Sequence, residues 1–205
     1  MKTSEIQNYR NFHNMFRLDT TSITSLYNSY LNNDIDFDVL LPSIGINLQR
    51  ELVWQIDQKR ELIYSILKGM SIGNASILRN LFPFTKDYRI QLIKDGAECP
   101  DFFTYEVIDG KQRLMTIIEF LGDKFKILID DEYLCFSELS LEFKRIVWGY
   151  NISAYEVSMD WGVIMSDAEK FEWFQSVSFK GTPQEECHLE NLTNALNLIK
   201  PGAKK

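Results

Sequence analysis

Apolar residues in this chain recur at spacings of about 3.6 and about 2 residues, the signatures of half-buried helices and strands. Residues 1–19 are polar with scattered aromatics and predict an irregular arm. Ile23, Leu26, Tyr27, Tyr30 and Leu31 then fall on one side of a helix over 20–33. Residues 37–48 (FDVLLPSIGINL) read as extended, with a turn over 42–45. Asp57 is placed to cap a helix over 58–68, whose stripe is Leu62, Ile63, Ile66 and Leu67 and whose stop is Gly69. A strand is expected over 75–81, then an insertion over 82–103 around Asp95-Gly96 and Pro100. Tyr105-Glu-Val-Ile108 is a short strand ended by Asp109-Gly110. The helix that follows shows Leu114, Ile117, Ile118 and Leu121 on one face and stops at Gly122. A strand over 125–129, a helix over 137–150 and a strand over 152–157 come next. The last third, 167–199, predicts two helices broken near 180–183, with Thr182 as N-cap and Pro183 in the first helical position of the second. Strands and helices mix without regular alternation, which favours an α+β fold over a doubly wound sheet.

Composition narrows the class. The 205 residues suit one domain, or one domain with a helical extension. With 45% hydrophobic residues, 10 Gly and 5 Pro, the chain can bury a core and is not low-complexity. The net charge of −7 argues against a broad electropositive surface of the kind that binds nucleic acid without sequence preference. The three cysteines, Cys99, Cys135 and Cys187, form no CxxC pair, so neither a zinc site nor a disulfide framework is expected. The N-terminus lacks an apolar leader, and no run approaches the roughly 20 residues that span a bilayer. A cytoplasmic protein without membrane contact is the expectation. Asn74, Asn151 and Asn191 then stand in chance glycosylation triplets.

Candidate chemistry begins with exclusions. There is no GxxxxGK[ST], GxGxxG or GxSxG, and two histidines, His13 and His188, cannot build a HExxH site. The most informative segment is Asp109-Gly110-Lys111-Gln112-Arg113, where a strand ends and a helix starts at once. The first N–H groups of a helix lack internal partners and carry partial positive charge, so they attract anions. Lys111 and Arg113 add two cations, and arginine can grip phosphate bidentately. Asp109 is suited to hold a hydrated magnesium ion or orient a water, and Gln112 to bond a phosphate or place water. The bland alternative is a capped helix start with two solvated basic residues.

Two further segments fit the same chemistry. Gln49-Arg50 with Trp54 offers an anion partner and a ring on which a base can stack, or else a surface turn anchored by its tryptophan. The turn after Ser176-Val-Ser178-Phe-Lys180-Gly181 exposes a second helix start and a lysine, or is an ordinary αα turn.

Together these segments resemble the N-terminal domain of GmrSD-type modification-dependent restriction endonucleases, a ParB/sulfiredoxin-like family also found in other phage-defence proteins. The resemblance rests on Gln49-Arg50-Glu-Leu-Val-Trp54, on Gly69-Met-Ser-Ile-Gly73 and on Ile108-Asp109-Gly110-Lys111-Gln112-Arg113-Leu114, in that order, and covers roughly residues 37–190. It implies a mixed sheet with flanking helices and a C-terminal helical pair. The organisation expected is an arm and helix over 1–36, a nucleotide-binding core over 37–160 and a helical extension over 161–205 packed on that core. It also implies binding of a nucleoside triphosphate with Mg2+, and its hydrolysis in the service of restriction and phage defence, in a bacterial or phage setting. By position, Asp109, Gln112 and Arg113 would be catalytic. Gln49, Arg50, Gly110, Lys111 and Ser178 would bind nucleotide, and Asp109 would meet the magnesium ion.

Departures from the family pattern shape the expectation. Lys111 stands where glutamine is commonest. At the helix junction Ser176 replaces an arginine, Ser178 an asparagine and Gln184 a leucine. A serine cannot both donate and accept across an amide plane, so binding with weak or no turnover is one outcome. About 15 residues follow the junction, too few for a nuclease domain, so a stand-alone domain without DNA cleavage is expected. The alternative is a non-catalytic module that engages DNA or a related nuclease protein as decoy or regulator.

Overall fold

In the computed structural model the described residues are 16–80, 105–158 and 165–178, with 190, 191, 193 and 194. The elements in chain order are β1 (Phe16–Ser22), α1 (Ile23–Leu31), β2 (Ile35–Asp36), β3 (Leu40–Leu41), β4 (Ile46–Asn47), α2 (Ile56–Leu67), β5 (Ala75–Arg79) and β6 (Tyr105–Asp109). Then come α3 (Lys111–Leu121), β7 (Ile127–Ile129), β8 (Glu132–Leu134), a 3-10 turn (Phe136–Glu138), α4 (Leu141–Gly149), β9 (Asn151–Ser158) and α5 (Asp167–Ser178). The fold is α+β, as expected.

Five strands form one mixed sheet in the order β1-β9-β5-β6-β2. β1 runs antiparallel to β9, β9 parallel to β5, β5 antiparallel to β6, and β6 parallel to β2. β5 and β6 are buried on both faces, which is why Ala75–Leu78 and Val107–Ile108 read as apolar runs rather than alternations. Ile77, Val107 and Ala154 point into one core with Ile63 and Ile66 of α2, Leu114 and Ile117 of α3, and Val147 of α4. Leu78 and Ile108, each one residue on, and Val157, three residues on from Ala154, point into a second core. There they meet Val39, Leu41 and Leu48 around the β3–β4 hairpin and Phe171, Trp173 and Phe174 of α5. Asp167 ties the two covers of that face together by accepting the N–H and hydroxyl of Ser43.

Several expectations change. The irregular arm is wrong for its last residues: β1 pairs in a seven-rung register with β9. It is an edge strand with Leu18 left 64% exposed, so it carries little of the burial signal. α2 starts at Ile56, and Gln55 rather than Asp57 is its N-cap. Gln58 returns its side-chain oxygen to the Gln55 N–H at 2.9 Å, while Asp57 lies in the first turn and pairs with Arg60. The stop at Gly69 is as expected: the Gly69 N–H reaches Ile66 O and the Met70 N–H reaches Ser65 O, a Schellman closure. The helix expected over 137–150 divides at the extended residue Leu139, and Ser140 caps α4. The β7–β8 hairpin was not expected; its turn residues Asp130 and Asp131 both have positive φ, as a two-residue hairpin turn requires. The insertion at 82–103, the arm before residue 16, and the Thr182–Pro183 start of the second C-terminal helix lie outside the described residues; of that helix, residues 190, 191, 193 and 194 are described, and they are helical.

Candidate functional site

β6 ends at Asp109 and α3 begins at Lys111, so a single residue makes the corner. Gly110 has φ +102, and a Cβ on it would lie 3.2 Å from the Ala75 Cβ and 3.4 Å from the Ala75 Cα. A side chain would both strain the corner and press on β5, so glycine lets strand and helix close up. The first bond of α3 runs from the Leu114 N–H to Gly110 O at 3.0 Å. The N–H groups of Lys111, Gln112 and Arg113 precede it and have no partner within the helix.

Arg113 lies one turn into α3 and reaches back. Its Nη2 is 3.1 Å from Asp109 Oδ2, and its Nη1 donates to Ile72 O at 3.1 Å. The loop that carries that carbonyl is held by Tyr150, whose hydroxyl donates to Met70 O at 2.8 Å and accepts the Ile72 N–H at 3.2 Å. Gly73 leaves room for the guanidinium: a Cβ there would stand 2.6 Å from Arg113 Nη1. The Gly69–Gly73 turn and the Asp109–Arg113 corner, separate in sequence, are thus one structure. Burial pushes the Asp109 carboxyl above its ordinary range; the Arg113 charge and the Gly110 N–H pull the other way without cancelling it.

The segment from Asp36 to Trp54 is fastened to this corner at several points. The Asp36 carboxylate accepts the N–H groups of Asp38 and Val39 at 2.8 and 3.0 Å, bending the chain so that buried Val39 takes φ +52. A β-branched residue is seldom found there, so surrounding packing must hold it. Asp38 pairs with Lys111 at 2.5 Å; the lysine side chain is 7% exposed and the aspartate 60%. Gln49 is 8% exposed and donates to Val107 O at 3.0 Å and Ile108 O at 2.5 Å on β6. Gln112 accepts the N–H groups of Val53 at 3.1 Å and Trp54 at 3.3 Å, and donates to Glu51 O at 2.9 Å.

Arg50 lies between Gln49 and Glu51 in that fastened stretch. It is half-buried and has no hydrogen-bond or ion-pair partner among the described residues. It therefore differs from Lys111 and Arg113, whose charges are already met by Asp38 and Asp109.

The structure thus brings Gln49, Arg50, Asp109, Gly110, Lys111, Gln112 and Arg113 around one strand-to-helix corner. Ser178 ends α5, but its side chain and residues 179–189 lie outside the described residues. Ser176 donates to Trp173 O within its own helix. For a magnesium ion the corner supplies a single carboxylate, Asp109. No group of three histidine, cysteine or carboxylate side chains suited to a metal ion exists among the described residues. That donor set does not form a metal site by itself.

Sequence reasoning missed Asp38, which meets Lys111, and Tyr150, which holds the Ile72 loop. It also missed a buried network on the other face, where Glu106 pairs with Lys170 at 2.5 Å and accepts from Asn80 at 2.7 Å. The only available signal was charge at positions that alternate with buried ones, and alternation alone reads as solvent exposure. A cavity of about 200 Å³, lined by Asp19, Ser25, Tyr105 and Glu156 among others, shares no residue with the corner. No helix among the described residues is long and apolar enough to cross a membrane.

The family model described as the N-terminal domain of the GmrSD restriction endonuclease matches residues 23–197, from the first residue of α1 to beyond α5. Neither curated proteins nor solved structures yield a match.

Proposed function

We infer from the family to which this chain belongs, the N-terminal domain of GmrSD restriction endonucleases, that its restriction-related role runs through a nucleoside triphosphate bound at the start of α3. The observation that carries this reading is Arg50. A half-buried cation with no partner among the described residues, in a stretch fastened beside a helix start whose first N–H groups have none there either, is an arrangement completed by an anion. The Arg50 charge and the N–H groups of Lys111, Gln112 and Arg113 would meet phosphate oxygens. Arg113 would hold Asp109 in place and add its charge at the same end. Asp109 would be the single protein oxygen offered to a magnesium ion that arrives as the nucleotide's counter-ion, a mode that suits that ion's reluctance to shed water.

Hydrolysis is a second reading, favoured by Asp109. A carboxyl lifted by burial is a better proton acceptor than an exposed one and can orient a water for attack on the terminal phosphate. Binding and phosphate release are measured in parallel for wild type, Arg113→Ala and Asp109→Ala. Binding is expected to fail in Arg113→Ala, and release to fail in Asp109→Ala while binding persists. Unchanged affinity in Arg113→Ala would remove the corner from the site.

A further inference from the structure

The amide of Gln112 can make four hydrogen bonds, two accepted by its oxygen and two donated by its nitrogen. Three are in use, all with backbone groups of one short stretch: Val53 N–H, Trp54 N–H and Glu51 O. Both acceptor positions are filled, so the oxygen is not available to hold a water for attack. No described residue other than Gln112 donates a side-chain bond to the Glu51 carbonyl or accepts one from the Val53 or Trp54 N–H. On the other side of Arg50, Gln49 is fixed to β6 through two carbonyls. Farther back, Lys111 holds Asp38, and the Gln49 N–H reaches Asp38 O at 3.1 Å. Among the described residues the Arg50 side chain makes no hydrogen bond or ion pair with any of these groups. Its backbone is set from both sides by residues of, or bonded to, the β6–α3 corner.

We propose that Gln112 is a positioning residue for Arg50: its amide clamps the Glu51–Trp54 backbone to α3 and so sets the Arg50 guanidinium over the helix start, without itself serving as a catalytic residue. This rests on the nucleotide reading above. It assigns the two central residues of the Asp109–Arg113 segment to fastening. Lys111 holds the front of the strap through Asp38 and Gln112 holds the back. Binding is left to Arg50, Arg113 and the backbone.

The test is a double-mutant cycle on affinity for ATP and GTP, with magnesium, using wild type, Gln112→Met, Arg50→Ala and the double variant. Methionine keeps the bulk of glutamine and removes its polar atoms. Each single variant is expected to weaken binding by about tenfold, and the double variant to bind no worse than Arg50→Ala, because a clamp has nothing to position once the guanidinium is gone. Hydrogen exchange at the Val53 and Trp54 amides is expected to speed up in Gln112→Met while the α3 core amides stay protected, which shows that the variant folds and that the clamp has opened. A general structural loss would not cancel in the Arg50→Ala background. Additive losses would overturn the inference and put Gln112 in contact with the nucleotide, leaving the site standing. Absence of wild-type binding to either nucleotide would overturn the nucleotide reading itself, and the clamp's purpose with it.

Discussion

Gly69 and Gly73 bracket the turn in which Arg113 lodges, and replacing each with alanine separates two effects that usually come together. Both have positive φ, +67 and +81, so both substitutions place a Cβ in the left-handed region at about 1–2 kcal/mol. Both also lower the entropy of the unfolded chain to the same extent, which cancels in the comparison. They differ in surroundings. Nothing lies within 4 Å of a Cβ at Gly69, whereas at Gly73 Arg113 Nη1 lies at 2.6 Å. The guanidinium is the end of a flexible side chain and will swing aside, losing its bond to Ile72 O. That bond has a charged donor but is partly exposed, so its loss costs about 1–2 kcal/mol. Gly69→Ala should therefore lower unfolding free energy by about 1–2 kcal/mol and Gly73→Ala by about 2–4 kcal/mol, with equal m-values in urea. Nuclear magnetic resonance of the Arg113 side-chain N–H groups gives an independent readout: they should shift in Gly73→Ala and not in Gly69→Ala. Equal stabilities, or an unmoved Arg113 signal in Gly73→Ala, would refute the idea that this turn is shaped around the arginine.

Other variants test other parts of the structure. Lys170→Met leaves Glu106 charged and unpaired where the two side chains are 8% and 12% exposed; unfolding should cost about 3–5 kcal/mol less, and Glu106→Gln added to it should recover much of that. Gln112→Glu keeps the bonds from Val53 and Trp54 but turns an acceptor toward Glu51 O, so thermal unfolding should fall by about 1 kcal/mol equivalent. The Glu138 carboxyl is held down to about 2 by the Cys135 N–H and thiol and by Lys126. Its folded value lies below its ordinary 4.5, so the stability it lends is present above that pH and is lost as pH falls toward 2. Glu138→Gln should flatten the stability curve across that window and change it little at neutral pH, as urea titrations at several pH values would show.

How far these features were legible follows from their range along the chain. The strand, Gly110 corner and helix around Asp109–Arg113 are local: each follows from a few adjacent residues, and each is found where the pattern put it. The stop at Gly69 is local in the same sense. β1 was not legible, because an edge strand with Leu18 in solvent shows no burial pattern and exists through its pairing with β9. Gln112 had a plausible direct role in sequence, since nothing local shows that its oxygen meets the N–H groups of Val53 and Trp54, 59 and 58 residues earlier. The Lys111–Asp38 pair spans 73 residues and Lys170–Glu106 spans 64. Ion pairs between such distant positions depend on how the layers pack, and single-residue charge cannot reveal them. Family membership is what ties the chain to restriction, since a helix start with basic residues is common to many proteins.

Arg50 offers the most direct test, because its side chain makes no bond in the fold among the described residues and its removal should leave the structure intact. The measurement is calorimetric titration of ATP and GTP, with magnesium, into wild type and Arg50→Ala, beside thermal unfolding of both without nucleotide. The nucleotide reading predicts equal unfolding temperatures, saturable binding of one of the two nucleotides by wild type, and affinity weaker by about tenfold or more in the variant, the scale of one lost charged contact. Equal affinity in the two proteins, or no binding by wild type, would contradict a nucleotide site at the start of α3.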